Sequence, residues 1–154
     1  MGLDRLDRQL LNLLQEDAGR TADQLADKIG LSASAIQRRI RKLREHGVIV
    51  RETAILDPKQ VGSPTLFVVG IEMDRDRPEV VARFREWLAN EPNVQQAFYV
   101  TGEVDFVLVV TAASTEDYDA YMANMLEVHP NIKRFTTNVA LNVLKRGLTI
   151  PVED

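Results

Sequence analysis

The chain has 154 residues, 45% hydrophobic and 27% charged, with 19 Lys and Arg against 23 Asp and Glu and no cysteine. Those proportions suit one ordinary domain or two small ones, and they exclude a disordered chain, a disulfide scaffold and a thiolate metal site. No apolar run approaches the roughly 20 residues of a membrane span, and "MGLDRLDRQLL" turns charged at once instead of building a signal-peptide core, so a cytoplasmic protein with no membrane partner is expected.

The charge is spread unevenly. Residues 1–56 hold ten basic against eight acidic side chains, a net of +2, and residues 57–154 hold nine against fifteen, a net of −6; the two sum to the whole-chain −4. Any polyanion partner therefore belongs to the front part.

Leu6, Leu10, Leu13 and Leu14 recur at helical spacing and predict a first helix over 6–16, with Asp4 as its N-cap and Gly19 beyond its end. "TADQLADKIG" predicts a short second helix. Thr21 caps it with Gln24 three residues on, and Leu25, Ala26 and Ile29 form its apolar stripe. Gly30-Leu31-Ser32 is a tight turn in which Ser32 caps the next helix.

That third helix, "SASAIQRRIRKLREHG", carries five basic residues in the seven positions from Arg38 to Arg44. Ile36, Ile40, Leu43 and Gly47 share one face, and Ser34, Gln37, Arg38 and Arg41 project from the other. Two helices joined by a Gly-containing turn, the second with a polar and basic outer face, form a helix-turn-helix pattern. A membrane-surface helix would need a broader and bulkier apolar side. "VIVRETAIL" is β-like and would supply the strands of a winged variant.

Double-stranded DNA is the expected partner of this face. Gln37 and Arg38 are side-chain types that bond bidentately to adenine and guanine, and the short Ser32 and Ser34 allow close approach. Arg41, Lys42 and Arg44 suit phosphates, which give affinity without sequence information. Amides near Thr21 and Ala22, at the start of the second helix, are further phosphate donors. Arg39 lies between the two faces, able to reach the DNA backbone or to pair internally.

Asp57-Pro58 and "VGSP" mark a linker over 57–65. Beyond it come a strand at 66–73, a helix at 77–90, strands at 93–101 and 104–113, a helix at 114–128 capped by Ser114, and a last strand at 131–145. The order β-α-β-β-α-β is the ferredoxin-like split unit. The fold class is α+β: a winged helix-turn-helix over 1–56, the linker, and a ferredoxin-like domain over 66–154 ending in a short tail. "LFVVGIEM" and "FVLVV" are apolar at odd and even positions alike, so both sheet faces are expected to be covered, the open one by a second subunit.

"YVTGEVDF" places Glu103 and Asp105 beside Gly102 in a β-β connection. An acid-base pair, a ligand contact and a plain solvated turn are all compatible with it. Nothing completes an enzyme or a metal centre: the two histidines, His46 and His129, are far apart and without ligand spacing.

The front half, through Leu3-Asp4, Asp7, Leu11, Leu14, Gly19-Arg20, Leu25-Ala26, Gly30-Leu31-Ser32, Arg39, Leu43 and Gly47-Val48-Ile49, resembles the Lrp/AsnC, or feast/famine, transcriptional regulators. "FYVTGEVDFVLVV" and "TTNVALNVLK" extend the resemblance to about residue 150. One departure is visible: Val50-Arg51-Glu52 stands where the family often has Gly-Tyr. The resemblance implies a sequence-specific DNA-binding regulator, not an enzyme, that forms homodimers and octamers or related assemblies. It also implies an amino-acid effector, with no other cofactor and no metal, in a pocket between subunits. Gly102, Glu103 and Asp105 would line that pocket, with Phe98, Tyr99, Thr101 and, from a neighbouring chain, Thr136 or Thr137 as walls. Two other readings compete: an architectural DNA-binding protein without effector, and a sensor or enzyme built on the ferredoxin-like half.

Overall fold

The computed structural model describes residues 2–62, 64–74 and 78–153. Ser63 of the expected linker and Arg77 at the expected start of a helix lie outside the described residues. The elements are α1 (Arg5–Glu16), α2 (Ala22–Ile29), α3 (Ala33–Glu45), a 3₁₀ turn (Pro58–Gln60), β1 (Thr65–Met73), α4 (Pro78–Asn90), β2 (Val94–Tyr99), β3 (Phe106–Ala112), α5 (Thr115–Val128) and β4 (Ile132–Val139). The chain divides into two compact units, Met1–Ile55 with Lys145–Asp154, and Leu56–Leu144.

In the first unit each helix starts at a side-chain cap, which satisfies amides that have no partner within the helix. Asp4 and Asp7 form a reciprocal capping box on α1, and Thr21 and Gln24 form another on α2. Gly30 ends α2 at φ +78°, a left-handed conformation that is costly for residues with a Cβ. Ser32 Oγ then accepts the Ala35 N–H and opens α3. Leu10, Leu11, Leu25, Ile36 and Leu43 meet in one core, with Leu14, Ile29 and Ile40 packed around it. Each such side chain stabilises the unit by about 1.5–3 kcal/mol relative to exposure, so the basic outer face of α3 is held by the apolar inner one.

The strands expected from "VIVRETAIL" are not formed. Residues 50–57 have no ladder partner among the described residues, and Val50 and Ile55 stand exposed. β propensity alone does not hold a strand; it needs a neighbour to bond to. The tail also departs from expectation, because residues 145–153 pack with the helices and not with the sheet.

The second unit is a four-stranded antiparallel sheet in the order β2-β3-β1-β4, with α4 and α5 on one side. β1 and β3 alternate strictly. Phe67, Val69, Ile71 and Met73 point to the helices with Phe106, Leu108, Val110 and Ala112. They meet Phe84 and Leu88 of α4 and Tyr118, Met122 and Met125 of α5. Phe67 stacks on Tyr118 at 3.8 Å and Phe84 meets Phe106 edge-on at 5.1 Å. The opposite face, carrying Val68, Val107 and Val109, is only half-buried, so within one chain a single face is sealed. β4 stops at Val139, short of the expected 145, because its partner β1 begins at Thr65; Ala140 N–H to the Leu66 carbonyl is the last bond.

Candidate nucleic-acid interface and ligand cleft

Ser34, Gln37, Arg38 and Arg41 stand at i, i+3, i+4 and i+7 on α3, and all are exposed. That spacing makes a single stripe, opposite the fully buried Ile36 and Leu43. Among the described residues Arg38, Arg41 and Lys42 form no ion pair, so their charge faces water. Ser32 is both cap and neighbour, its hydroxyl lying 3.1 Å from that of Ser34. At the foot of α2 the Thr21 N–H is already committed to Gln24 Oε1 at 2.9 Å, so of the two amides expected to meet a phosphate that one is spent within the capping box.

Two cations of α3 are engaged elsewhere. Arg39 Nη1 donates to Asp7 Oδ1 at 2.6 Å and to Asp4 Oδ2 at 2.7 Å, tying α3 to the first turn of α1. Asp7 is only 4% exposed, and a buried carboxylate needs such a partner. The guanidinium pKa is raised by hydrogen bonds to Asp4 and then Asp7. The Asp4 carboxyl is held low, first by the Asp7 amide and then by Arg39. Of the two roles open to Arg39, the geometry thus gives the internal one. Arg44 lies 2.9 Å from both oxygens of Glu52, an exposed pair of the kind that contributes little. His46 caps the end of α3, and His129 caps α5 with its ring against Phe84 and Trp87.

The second candidate site is an open cleft of about 530 Å³ in the sheet unit, lined by Glu72, Met73, Asp74, Gly102, Glu103, Asp105 and Lys133. Four carboxylates face one ammonium there. Lys133 Nζ lies 2.9 Å from Glu72, and Arg134 Nε reaches the same carboxylate at 3.2 Å. The Lys133 hydrogen bond is the main reason the Glu72 carboxyl sits below its ordinary value, and Glu72 in turn raises Lys133. Gly102 turns the loop at φ +125°, a conformation close to glycine-only, which leaves its backbone open to the cleft.

Asp105 proves to be architectural as well as cleft-lining. It is 2% exposed, and its Oδ2 accepts the Met73 N–H at 2.8 Å, where the pairing of β1 with β4 shifts register. Its own N–H donates to the Ile71 carbonyl at 2.8 Å. Beside it Val104 rests over Gly70: a Cβ on Gly70 would come within 3.2 Å of Val104 Cγ1 and 2.9 Å of Thr136 Oγ1. The glycine thus makes room for the loop on the sheet.

The expected wall residues divide. Gly102, Glu103 and Asp105 meet in the cleft; Phe98, Tyr99, Thr101, Thr136 and Thr137 do not line it within one chain. Thr137 is spent on the helical side, its hydroxyl 2.6 Å from that of Tyr118. The Tyr99 ring lies 5.0 Å from Phe106 with the Arg85 guanidinium over it at 5.5 Å. Successive strand residues point to opposite faces, so Phe98 and Tyr99 cannot both line one wall. Glu72, Asp74 and Lys133 were not foreseen. They stand at strand ends far from the loop in sequence, and only the antiparallel pairing of β1 with β4 gathers them.

Comparison with known proteins covers both halves. The model described as Lrp/AsnC ligand binding domain matches residues 66–150, and that described as winged helix-turn-helix DNA-binding matches residues 3–50. An HTH-type transcriptional regulator of Sinorhizobium fredii is 39% identical over 99% of this chain and 90% of its own length. The transcriptional regulator AzlB of Bacillus subtilis is 32% identical over 99% of this chain and 97% of its own. The crystal structure of an AsnC family transcriptional regulator from Agrobacterium tumefaciens superposes with a TM-score of 0.88 at 34% identity, covering 97% of each chain. No helix among the described residues is long and apolar enough to cross a membrane.

Proposed function

The chain belongs to the Lrp/AsnC family of DNA-binding transcriptional regulators, and from that premise we propose that it reads operators with the outer stripe of α3 and answers to an amino acid held in the Glu72–Asp105 cleft. One observation carries the first part: Ser34, Gln37, Arg38 and Arg41 form an exposed stripe, with no ion pair among the described residues, on a helix whose opposite face is locked into a core. Gln37 and Arg38 contact base edges in the major groove, Ser34 allows close approach, and Arg41 and Lys42 hold phosphates. Arg39 supports the helix from inside.

The ligand-binding-domain match and the cleft's charge support the second part. The carboxylates of Glu103 and Asp74 suit an ammonium group. Lys133 and the backbone at Gly102 suit a carboxylate. A zwitterion presents both groups on one carbon, which fits one cationic and several anionic partners in a single cleft. Thr136 and Phe98 serve as walls once a neighbouring subunit adjoins.

The protein works as a cytoplasmic homodimer or a larger even assembly, not as an enzyme. Val68, Val107 and Val109 on the uncovered sheet face support a second copy there. A dimer sets two α3 helices in successive major grooves of a near-palindromic site. The effector acts by binding one arrangement of the assembly more tightly than another.

Selection of bound genomic fragments, with and without each of the twenty amino acids, tests both parts. A recurrent site with paired half-sites, weakened by Gln37→Ala and Arg38→Ala, is expected. Lys42→Ala should weaken binding to all sequences alike and reduce the salt slope by about 0.9. Binding indifferent to all three substitutions refutes the α3 face. Melting temperature and oligomer size unmoved by every amino acid refute the effector and leave an architectural protein.

A further inference from the structure

Residues 150–153 are bound to the flank of α1 by five hydrogen bonds, a contact for which the proposed function has no use. Asn12 Nδ2 donates to the Val152 carbonyl at 2.9 Å, and the Val152 N–H returns to Asn12 Oδ1 at 3.4 Å. Gln15 Nε2 donates to the Ile150 carbonyl at 2.8 Å, and the Ile150 N–H returns to Gln15 Oε1 at 2.7 Å. Arg8 Nη1 completes the row on the Glu153 carbonyl at 3.0 Å. Val152 meanwhile packs against the helical core.

The chemistry of this row is that of a strand edge. Among neutral side chains the primary amides of Asn and Gln carry N–H donors and a carbonyl acceptor together, so each can copy a peptide group. Ile150 and Val152 each exchange both backbone bonds with one amide, as residues of an antiparallel ladder do. Pro151, which has no N–H, falls at the intervening position, where an edge strand tolerates it. It also holds its own φ and keeps Ile150 extended, so less freedom is lost on docking. Arg8, Asn12 and Gln15 lie at i, i+4 and i+7, one stripe of α1, and the tail runs antiparallel to it.

The chain therefore joins the helical unit to the sheet unit twice, once between Ile55 and Leu56 and again between Leu144 and Lys145. We propose that the outer flank of α1 is a docking surface for an extended strand, that its occupant is this chain's own residues 150–153, and that this second attachment sets the spacing at which paired α3 helices meet DNA. A unit held by one linker samples many positions; a second tether narrows them, raising affinity for half-sites at the matching separation and penalising others. The inference rests on the dimeric DNA reading above.

The test uses full-length protein carrying Asn12→Ala with Gln15→Ala, and a second variant lacking residues 147–154, in which α1 is untouched. Alanine is the best helix former, so the first variant should keep α1 intact. Amide exchange at Ile150 and Val152 reports docking. Affinity for duplexes carrying the selected site, with the half-sites moved apart by two or five base pairs, reports spacing. Fast exchange at both amides in the double variant is expected. In both variants the preference for the native spacing should fall on the order of tenfold. Protected amides in the double variant, or a released tail with unchanged spacing preference, overturns the proposal. A wild type that selects no duplex overturns the DNA reading and the tether with it.

Discussion

Replacing Arg39 by alanine separates two roles that its position on a basic helix leaves confounded. The substitution leaves the Asp7 carboxylate, 4% exposed, with the Asp4 N–H at 3.2 Å in place of a guanidinium at 2.6 Å. Breaking a fully buried pair costs about 3–5 kcal/mol, and losing one charge-assisted hydrogen bond, here that to Asp7, about 1.5–3; the second lost bond, to the exposed Asp4, is screened by water and adds little. The Arg39 side chain is 26% exposed and the surviving amide bond compensates in part, so the lower range applies, about 2–3 kcal/mol. In a unit of this size that lowers the melting temperature by roughly 10–20 °C. The assay is selective by composition. The helical unit contains no aromatic residue, whereas Trp87 lies in the sheet unit. Far-UV circular dichroism should show the early loss of α1–α3 while Trp87 fluorescence holds its wild-type midpoint. Arg39→Lys should recover part of the loss, since it restores charge without the fork. Below its melting point the alanine variant should bind DNA with wild-type sequence preference. Unchanged stability with lost DNA binding would refute the strut and return Arg39 to the DNA face.

Three further outcomes follow from the same geometry. Asp105→Ala strips the Met73 N–H of its acceptor in a buried place and should cost about 1–3 kcal/mol in the Trp87-monitored transition; an unchanged midpoint removes the architectural role. Gly70→Ala crowds Thr136 and Val104 and should cost about 1–3 kcal/mol, much of it recovered by adding Thr136→Ala with Val104→Ala; no recovery places the strain elsewhere. The Asp4 carboxyl is held below its ordinary value by the Asp7 amide and by Arg39, so its contribution is complete above the ordinary Asp pKa of about 3.9 and is lost as pH falls through the lowered value. Asp4→Asn keeps a cap acceptor but removes that step. Wild-type and variant dichroism melts should therefore converge as the acid limb is descended, and parallel curves would contradict this.

Much of the helical unit was legible because its signals are local. Thr21 and Gln24, or Ser32 ahead of α3, are three residues or fewer from the amides they cap, and helix geometry alone brings them together. The same period separates Ile36 and Leu43 from Ser34, Gln37 and Arg38, so the buried and exposed faces of α3 are legible in the sequence. In the sheet unit, element order was enough for the ferredoxin-like topology, whereas the strict in-and-out alternation of β1 and β3 is hidden by residues that are apolar on both faces. The candidate cleft was legible only at its loop. Gly102, Glu103 and Asp105 are neighbours in sequence, but Glu72 and Lys133 join them across 61 positions through one pairing register.

From the sequence by itself came the N-caps of α1, α2, α3 and α5, the inner and outer faces of α3, the β-α-β-β-α-β element order and the family, since each is set by spacings of two to four residues or by motifs contiguous in the chain. Tertiary structure decided which charges are free and which are spent. Arg39 and Arg38 are adjacent and chemically identical, yet one is committed to Asp4 and Asp7 and the other faces water. It also decided the tail: Asn12 and Val152 are 140 residues apart, and no local pattern records that a helix flank will accept an extended strand. The physical reason is the same in both cases. Local geometry fixes which way a side chain leaves its own element, whereas its partner is chosen by packing between elements.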